Sequence, residues 1–184
     1  MELSVAGKRV VAGGRTCRFQ PTCGIGAICG SQRFYGGEFS MNEMLLQALE
    51  ALPHGKEFRF VDALVSLDPG KSGVGTYRLP PDAEFLRGHF PGDPILPGVL
   101  MVEAVAQLGG VVAQSDPAVA PLAGLKLTGI RAAKITGTAR PGETVQIVAS
   151  VLGRMGPLVQ VSGAATVDGR EILRCEVTLS GAQG

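Results

Sequence analysis

Two residues of this chain have the types and the setting for proton transfer, His89 and Glu103. They lie in Gly88-His89-Phe90-Pro91-Gly92-Asp93-Pro94-Ile95-Leu96-Pro97-Gly98-Val99-Leu100-Met101-Val102-Glu103, where a loop with three prolines and three glycines runs into an apolar stretch holding one carboxylate. A base and an acid in one apolar setting are what general acid–base catalysis requires. Each residue also has a plainer reading. A histidine in such a loop can be an ordinary loop residue, and a lone glutamate in an apolar helix can be half of a salt bridge. Their connection through Pro97-Gly98 favours catalysis.

The elements that must hold the two groups can be read locally. Pro91, Pro94 and Pro97 fix their own φ and bias the residues before them toward extended backbone, so the loop around His89 should be rigid. Pro97 suits the first helical position. A bare Gly98 N–H at a helix start can face developing negative charge. Residues 98–115 read as a helix that is apolar on every side, hence buried at the centre of the fold. Its length is short of the roughly 20 residues of a bilayer span. Glu103 and Gln107 are four apart and share a face. A buried carboxylate is costly unless it is paired or functional.

Around this unit the pattern is mostly strand. Asn42 can cap a helix over 43–52, with Leu45, Leu46 and Leu49 on one side. Strand patterns cover 58–67, 73–79, 122–135, 144–152, 158–167 and 171–180. Pro141-Gly142 and Asp168-Gly169 mark turns, and Asp-Gly between two apolar runs signals a hairpin. The fold class is α+β, with one long buried helix and mostly antiparallel strands.

Composition narrows the functions. The 184 residues are enough for one domain with a sizeable core. A net charge of +1 gives no footprint for nucleic acid. The sequence has no P-loop and no G-x-G-x-x-G, and its two histidines show no H-E-x-x-H spacing, so neither a cofactor nor a catalytic metal is expected. Residues 1–40 differ in character. They hold eight glycines, three of the four cysteines (Cys17, Cys23 and Cys29) and five basic residues against only Glu2 and Glu38. The six-residue cysteine spacing fits no standard zinc pattern, and arginine-rich, acid-poor character is a weak targeting signal. Our reading is a disordered or non-native extension ahead of a natural start at Met41, with the domain spanning 41–184. Cys175, alternating within a strand pattern, is expected to be a buried thiol.

The run H-F-P-G-D-P-x-x-P-G-V-L-x-x-E-A-x-A-Q, complete from His89 to Gln107, resembles the signature of bacterial 3-hydroxyacyl-[acyl-carrier-protein] dehydratases of the FabZ type. Leu52-Pro53-His54 with Phe58, Val61 and Asp62 resembles that family's opening P-H-x-x-P-F-x-x-V-D; Gly129-Ile130 and Pro141-Gly142-Glu143 resemble later landmarks. Two positions depart from it: Gly55 and Glu57 stand where arginine and proline are usual. Lys134-Ile135-Thr136-Gly137 also replaces a more basic stretch.

The resemblance implies a hotdog fold, an antiparallel sheet wrapped around the central helix. It implies His89 as the catalytic base, Glu103 as the catalytic carboxylate and Gly98 as the backbone donor to the thioester carbonyl. Glutamate rather than aspartate at 103 points to the FabZ branch. Phe90, Val99 and Gln107 are expected to touch substrate. The implied reaction is dehydration to the trans-2-enoyl thioester in fatty acid biosynthesis, in the cytoplasm and without a cofactor. The implied partners are an acyl carrier protein, met by Arg87, Arg131 and Lys134, and a second copy of the chain, as a homodimer or a trimer of dimers. His89 would then face Glu103 of the partner chain. A coenzyme A-linked hydratase, a hotdog thioesterase and a non-catalytic acyl-binding module are the alternatives. The last needs neither titrating group.

Overall fold

The computed structural model describes residues 41–183; the expectations for residues 1–40 and their three cysteines lie outside these. Helix α1 spans Met41–Glu50 and α2 spans Gly98–Gln114. Six strands follow the chain order β1 Ala63–Asp68, β2 Ser72–Arg78, β3 Leu122–Ile135, β4 Thr144–Met155, β5 Leu158–Val167 and β6 Arg170–Gln183. They form one antiparallel sheet in the order β1-β2-β4-β5-β6-β3. α2 packs against β2, β4, β5, β6 and β3. This is the hotdog arrangement.

The alternation of the strands explains the core. Val145, Ile147 and Ala149 of β4 point inward and are essentially inaccessible, as are Val159, Val161 and Ala165 of β5. They meet Val105, Leu108 and Val112 of α2, which are fully buried. At three points where helix and sheet approach closely, glycine faces valine. A Cβ on Gly109 would lie 2.7 Å from Val161 Cγ1, one on Gly73 would lie 2.9 Å from Val112 Cγ2, and one on Gly163 would overlap Val105. The β5–β6 hairpin turns at Asp168 (φ 50°) and Gly169 (φ 77°), the paired positive angles of a type I′ turn that suit the twist of the flanking strands.

Several expectations need correction. Pro97 is not the first helical residue; it caps α2 from outside with ψ 134°, and its carbonyl accepts from Leu100 N at 3.0 Å and Met101 N at 3.3 Å. Asn42 lies within α1 rather than capping it, because the helix already includes Met41. Leu45 and Leu49 are buried while Leu46 is 61% exposed, so the buried face of α1 is narrower than its leucines suggest. The strand expected over 58–67 begins only at Ala63. Lys56–Phe58 form a short 3-10 turn, and the backbone at Phe58 and Phe60 bonds to the Gln107 side chain of α2 instead of to a neighbouring strand. α2 is not covered on every side either, since Val99 is 71% exposed.

Two predictions follow from this packing. Gly109→Ala should lower stability by about 1–3 kcal/mol, the usual penalty for overpacking a filled core, read as a fall in the urea midpoint. Burial pushes the Cys175 thiol up to about 11, and burial with the nearby Asp62 charge pushes the Tyr77 hydroxyl up to about 12. Above about pH 9 the unfolded chain therefore releases protons that the native state retains, so stability should fall as pH rises from 9 toward 11–12. Urea titrations across that range check the sign, and Cys175→Ala should reduce the lower part of the loss.

Candidate active site

The loop before α2 is tied at several points. Phe90 and Asp93 exchange backbone bonds of 3.3 and 3.0 Å, and Ile95 N donates to His89 O at 3.0 Å. Leu96 is bound to the 138–139 segment through its N–H to Ala139 O at 2.9 Å and its carbonyl from Thr138 Oγ1 at 3.1 Å. Asp93 Oδ1 accepts from Arg140 Nη1 at 2.6 Å, which raises the pKa of an already basic guanidinium. The rigid loop expected from its prolines is thus also anchored to the turn before β4.

His89 is half-buried, and its Nδ1 lies 3.2 Å from the Ile95 carbonyl. A carbonyl only accepts, so Nδ1 is the donor, and in the neutral ring Nε2 is the free lone pair. The His89 and Phe90 rings stack with centroids 4.2 Å apart. Gly98 opens α2, and its N–H has no acceptor among the described residues. A Cβ there would meet the end of the half-exposed Ile135 side chain of β3.

Glu103 sits one and a half turns along α2, with its side chain 17% exposed. Its Oε1 accepts from Gln107 Nε2 at 3.0 Å. Gln107 is 2% exposed, and its other bonds also go to protein: Phe60 N donates to its Oε1 at 2.9 Å and its Nε2 donates to Phe58 O at 2.9 Å. Pinned on both atoms, the amide is a fixed donor to the carboxylate. His54 Nε2 stands 3.5 Å from the same Glu103 oxygen, and His54 Nδ1 is buried without a partner among the described residues. The sequence offered His54 only as a landmark of the opening motif; nothing local indicated that the chain would bring it to Glu103.

Glu103, His54 and Gln107 line a cavity of about 510 Å³ between α1, α2 and β3. Its other walls are mainly apolar, including Ala48, Leu52, Ala106, Leu122, Leu125 and Leu179. Gln107 therefore lies in the wall of this cavity. Phe90 and Val99 do not line this cavity. They are 53% and 71% exposed, and Phe90 borders a shallower depression with Leu86 and Pro91. His89 and Glu103 make no contact with each other within the described residues. Arg87 and Arg131 are exposed and already face acids, Glu84 at 3.9 Å and Glu176 at 3.8 Å; Lys134 is exposed near Glu171.

Solved structures share this curled sheet and central helix. The dehydratase heterocomplex ApeI:P of Xenorhabdus doucetiae superposes with a TM-score of 0.62 at 17% identity, over 76% of this chain and 91% of that one. Zebra fish thioesterase superfamily member 2 superposes with a TM-score of 0.58, also at 17% identity, over 78% of this chain and 99% of that one. These likenesses establish the fold alone. The sequence goes further. The FabA-like domain family matches residues 52–176. The 3-hydroxyacyl-[acyl-carrier-protein] dehydratase FabZ of Syntrophotalea carbinolica is 37% identical over 139 residues, covering 72% of this chain and 90% of that protein. The FabZ of Clostridium acetobutylicum is 34% identical over 140 residues, covering 75% and 97%. The chain belongs to the FabA-like domain family, among the FabZ-type dehydratases.

The Gln107 network yields a prediction. Gln107→Leu leaves the buried Phe60 N–H without an acceptor and should cost about 1–3 kcal/mol of stability. It also releases Glu103, so activity should drop in the fraction that remains folded. Denaturant unfolding and turnover of the same preparation measure the two effects.

Proposed function

We propose that this chain dehydrates 3-hydroxyacyl groups carried on acyl carrier protein, giving the trans-2-enoyl thioester. The observation that carries this reading is the Glu103 carboxylate set in the wall of a large, mainly apolar cavity. His89 Nε2 removes the α-proton of the substrate. The electron pair left on carbon is delocalised into the thioester carbonyl, where the Gly98 N–H and the positive end of α2 stabilise the oxygen. The pair then returns to form the double bond, the C3–O bond breaks, and the departing hydroxyl takes a proton from the carboxyl form of Glu103 and leaves as water; the proton gained by His89 then restores the starting state of the pair. The acyl chain lies in the cavity beside α2.

In one copy His89 lies outside the cavity that Glu103 lines, and we assign the His89 that serves that cavity to a second copy. A second copy is supported by the long β3 edge. Residues 130–136 are exposed throughout, including Ile130 at 55% and Ile135 at 52%, and β3 has a sheet neighbour on only one side. An exposed, unpaired edge strand is a ready surface for pairing. His89 of one copy then acts with Glu103 of the other. Arg87, Arg131 and Lys134 are our candidates for meeting the acidic carrier, although their neighbouring acids moderate the positive field they offer. No helix among the described residues is long and apolar enough to cross a membrane.

His89→Ala and Glu103→Ala should each lose roughly 10²–10⁴-fold in turnover of a 3-hydroxyacyl-carrier-protein substrate, the usual contribution of a general acid or base. The enoyl chromophore reports the reaction. Mixing the two inactive variants under conditions of subunit exchange should restore activity, because a heterodimer regains one site with both groups. Near-normal turnover of either variant overturns the roles, and no recovery after demonstrated exchange overturns the shared site.

A further inference from the structure

The cavity has a chemical end and a far end. Glu103 and His54 line the first, and Gln114 and Ser115 the second. From Glu103 to Gln114 is eleven helical positions, about 16 Å at a rise of 1.5 Å per residue. At the far end both atoms of the Gln114 amide are bound to Leu122, with Nε2 to the carbonyl at 2.7 Å and Oε1 from the N–H at 2.9 Å. Midway, α2 presents Gly110 to the cavity.

Glycine inside a helix is disfavoured relative to alanine and calls for a reason. For the adjacent Gly109 the reason is Val161, which leaves no room for a Cβ. Gly110 has no such constraint. A Cβ there would meet nothing nearer than Leu125 Cδ2 at 3.6 Å and Leu179 Cδ1 at 3.9 Å, both ordinary contacts with cavity walls. Packing permits a side chain at 110, and any larger one would project into the cavity.

We infer that Gly110 is a specificity-determining position, which keeps the cavity open for acyl chains reaching past the middle of α2, and that the Gln114–Leu122 clasp forms its floor. This rests on the reading that the cavity holds the acyl chain. An extended alkyl chain with bonds of about 1.5 Å advances about 1.25 Å per carbon. With the reacting third carbon level with Glu103, a chain lying along α2 reaches Gly110 near carbon 11, and the Gln114 level near carbon 16, on the same spacing of about 1.25 Å.

The test compares kcat/KM for carrier-linked 3-hydroxyacyl substrates of four, eight, twelve and sixteen carbons in the wild type, Gly110→Ala and Gly110→Leu. The wild type should turn over all four lengths. Each methylene kept out of an apolar site costs roughly fourfold, so Gly110→Leu should lower the sixteen-to-eight-carbon ratio by about tenfold or more, and Gly110→Ala should lower it less. Thermal melts establish that each variant is folded, and Gly110→Ala, whose Cβ fits the space present, decides the matter if the leucine variant does not fold. A ratio unchanged in the folded variants, or equal losses at every length, overturns the role of Gly110. A wild type inert toward every length overturns the dehydratase reading itself.

Discussion

The close seating of α2 on the sheet is the constraint from which the rest of the site follows. At three close approaches one surface offers glycine and the other valine: Gly109 under Val161, Gly163 under Val105, Gly73 under Val112. Interiors are packed near crystalline density, so such complementarity fixes the helix in rotation as well as in depth. The rotation is what matters for chemistry. With Val105, Leu108 and Val112 turned to the sheet, Glu103, Gln107 and Gly110 necessarily turn to the cavity.

A carboxylate in that position needs a reason to stay in one place. Gln107 supplies it through a fully bonded amide that ties α2 to the backbone of residues 58 and 60. The same bonds deny those backbone groups to the sheet, and β1 begins only at Ala63. The arrival of His54 beside Glu103 belongs to this arrangement, because the 52–60 segment is drawn across the helix by its contacts with Gln107. Stability and positioning are here the work of one side chain.

The histidine loop is organised on a different principle. Its rigidity comes from backbone bonds within residues 89–95, from the Arg140–Asp93 ion pair and from the strap between Leu96 and residues 138–139. These hold the His89 ring with Nδ1 turned to the Ile95 carbonyl, yet they do not carry it to Glu103 of the same chain. The loop presents a histidine, the cavity holds a carboxylate, and the exposed β3 edge lies beside Gly98 through Ile135.

Taken alone, the sequence determined what depends on local pattern. The α2 boundaries, the last three strands and the Asp168-Gly169 turn were legible because period 3.6, period 2 and positive-φ turn chemistry are properties of short segments. The 89–107 motif was legible as a unit for the same reason, and with it the family. What only the tertiary structure decided concerns residues far apart in the chain. It placed His54 against Glu103 across 49 positions, and it put Phe90 and Val99 outside the cavity that their place in the motif suggested. It also separated Gly109, which packing requires, from Gly110, which packing does not. Neighbouring glycines read alike in a sequence; which one meets a valine and which one faces open space is decided by the surface that folds against them.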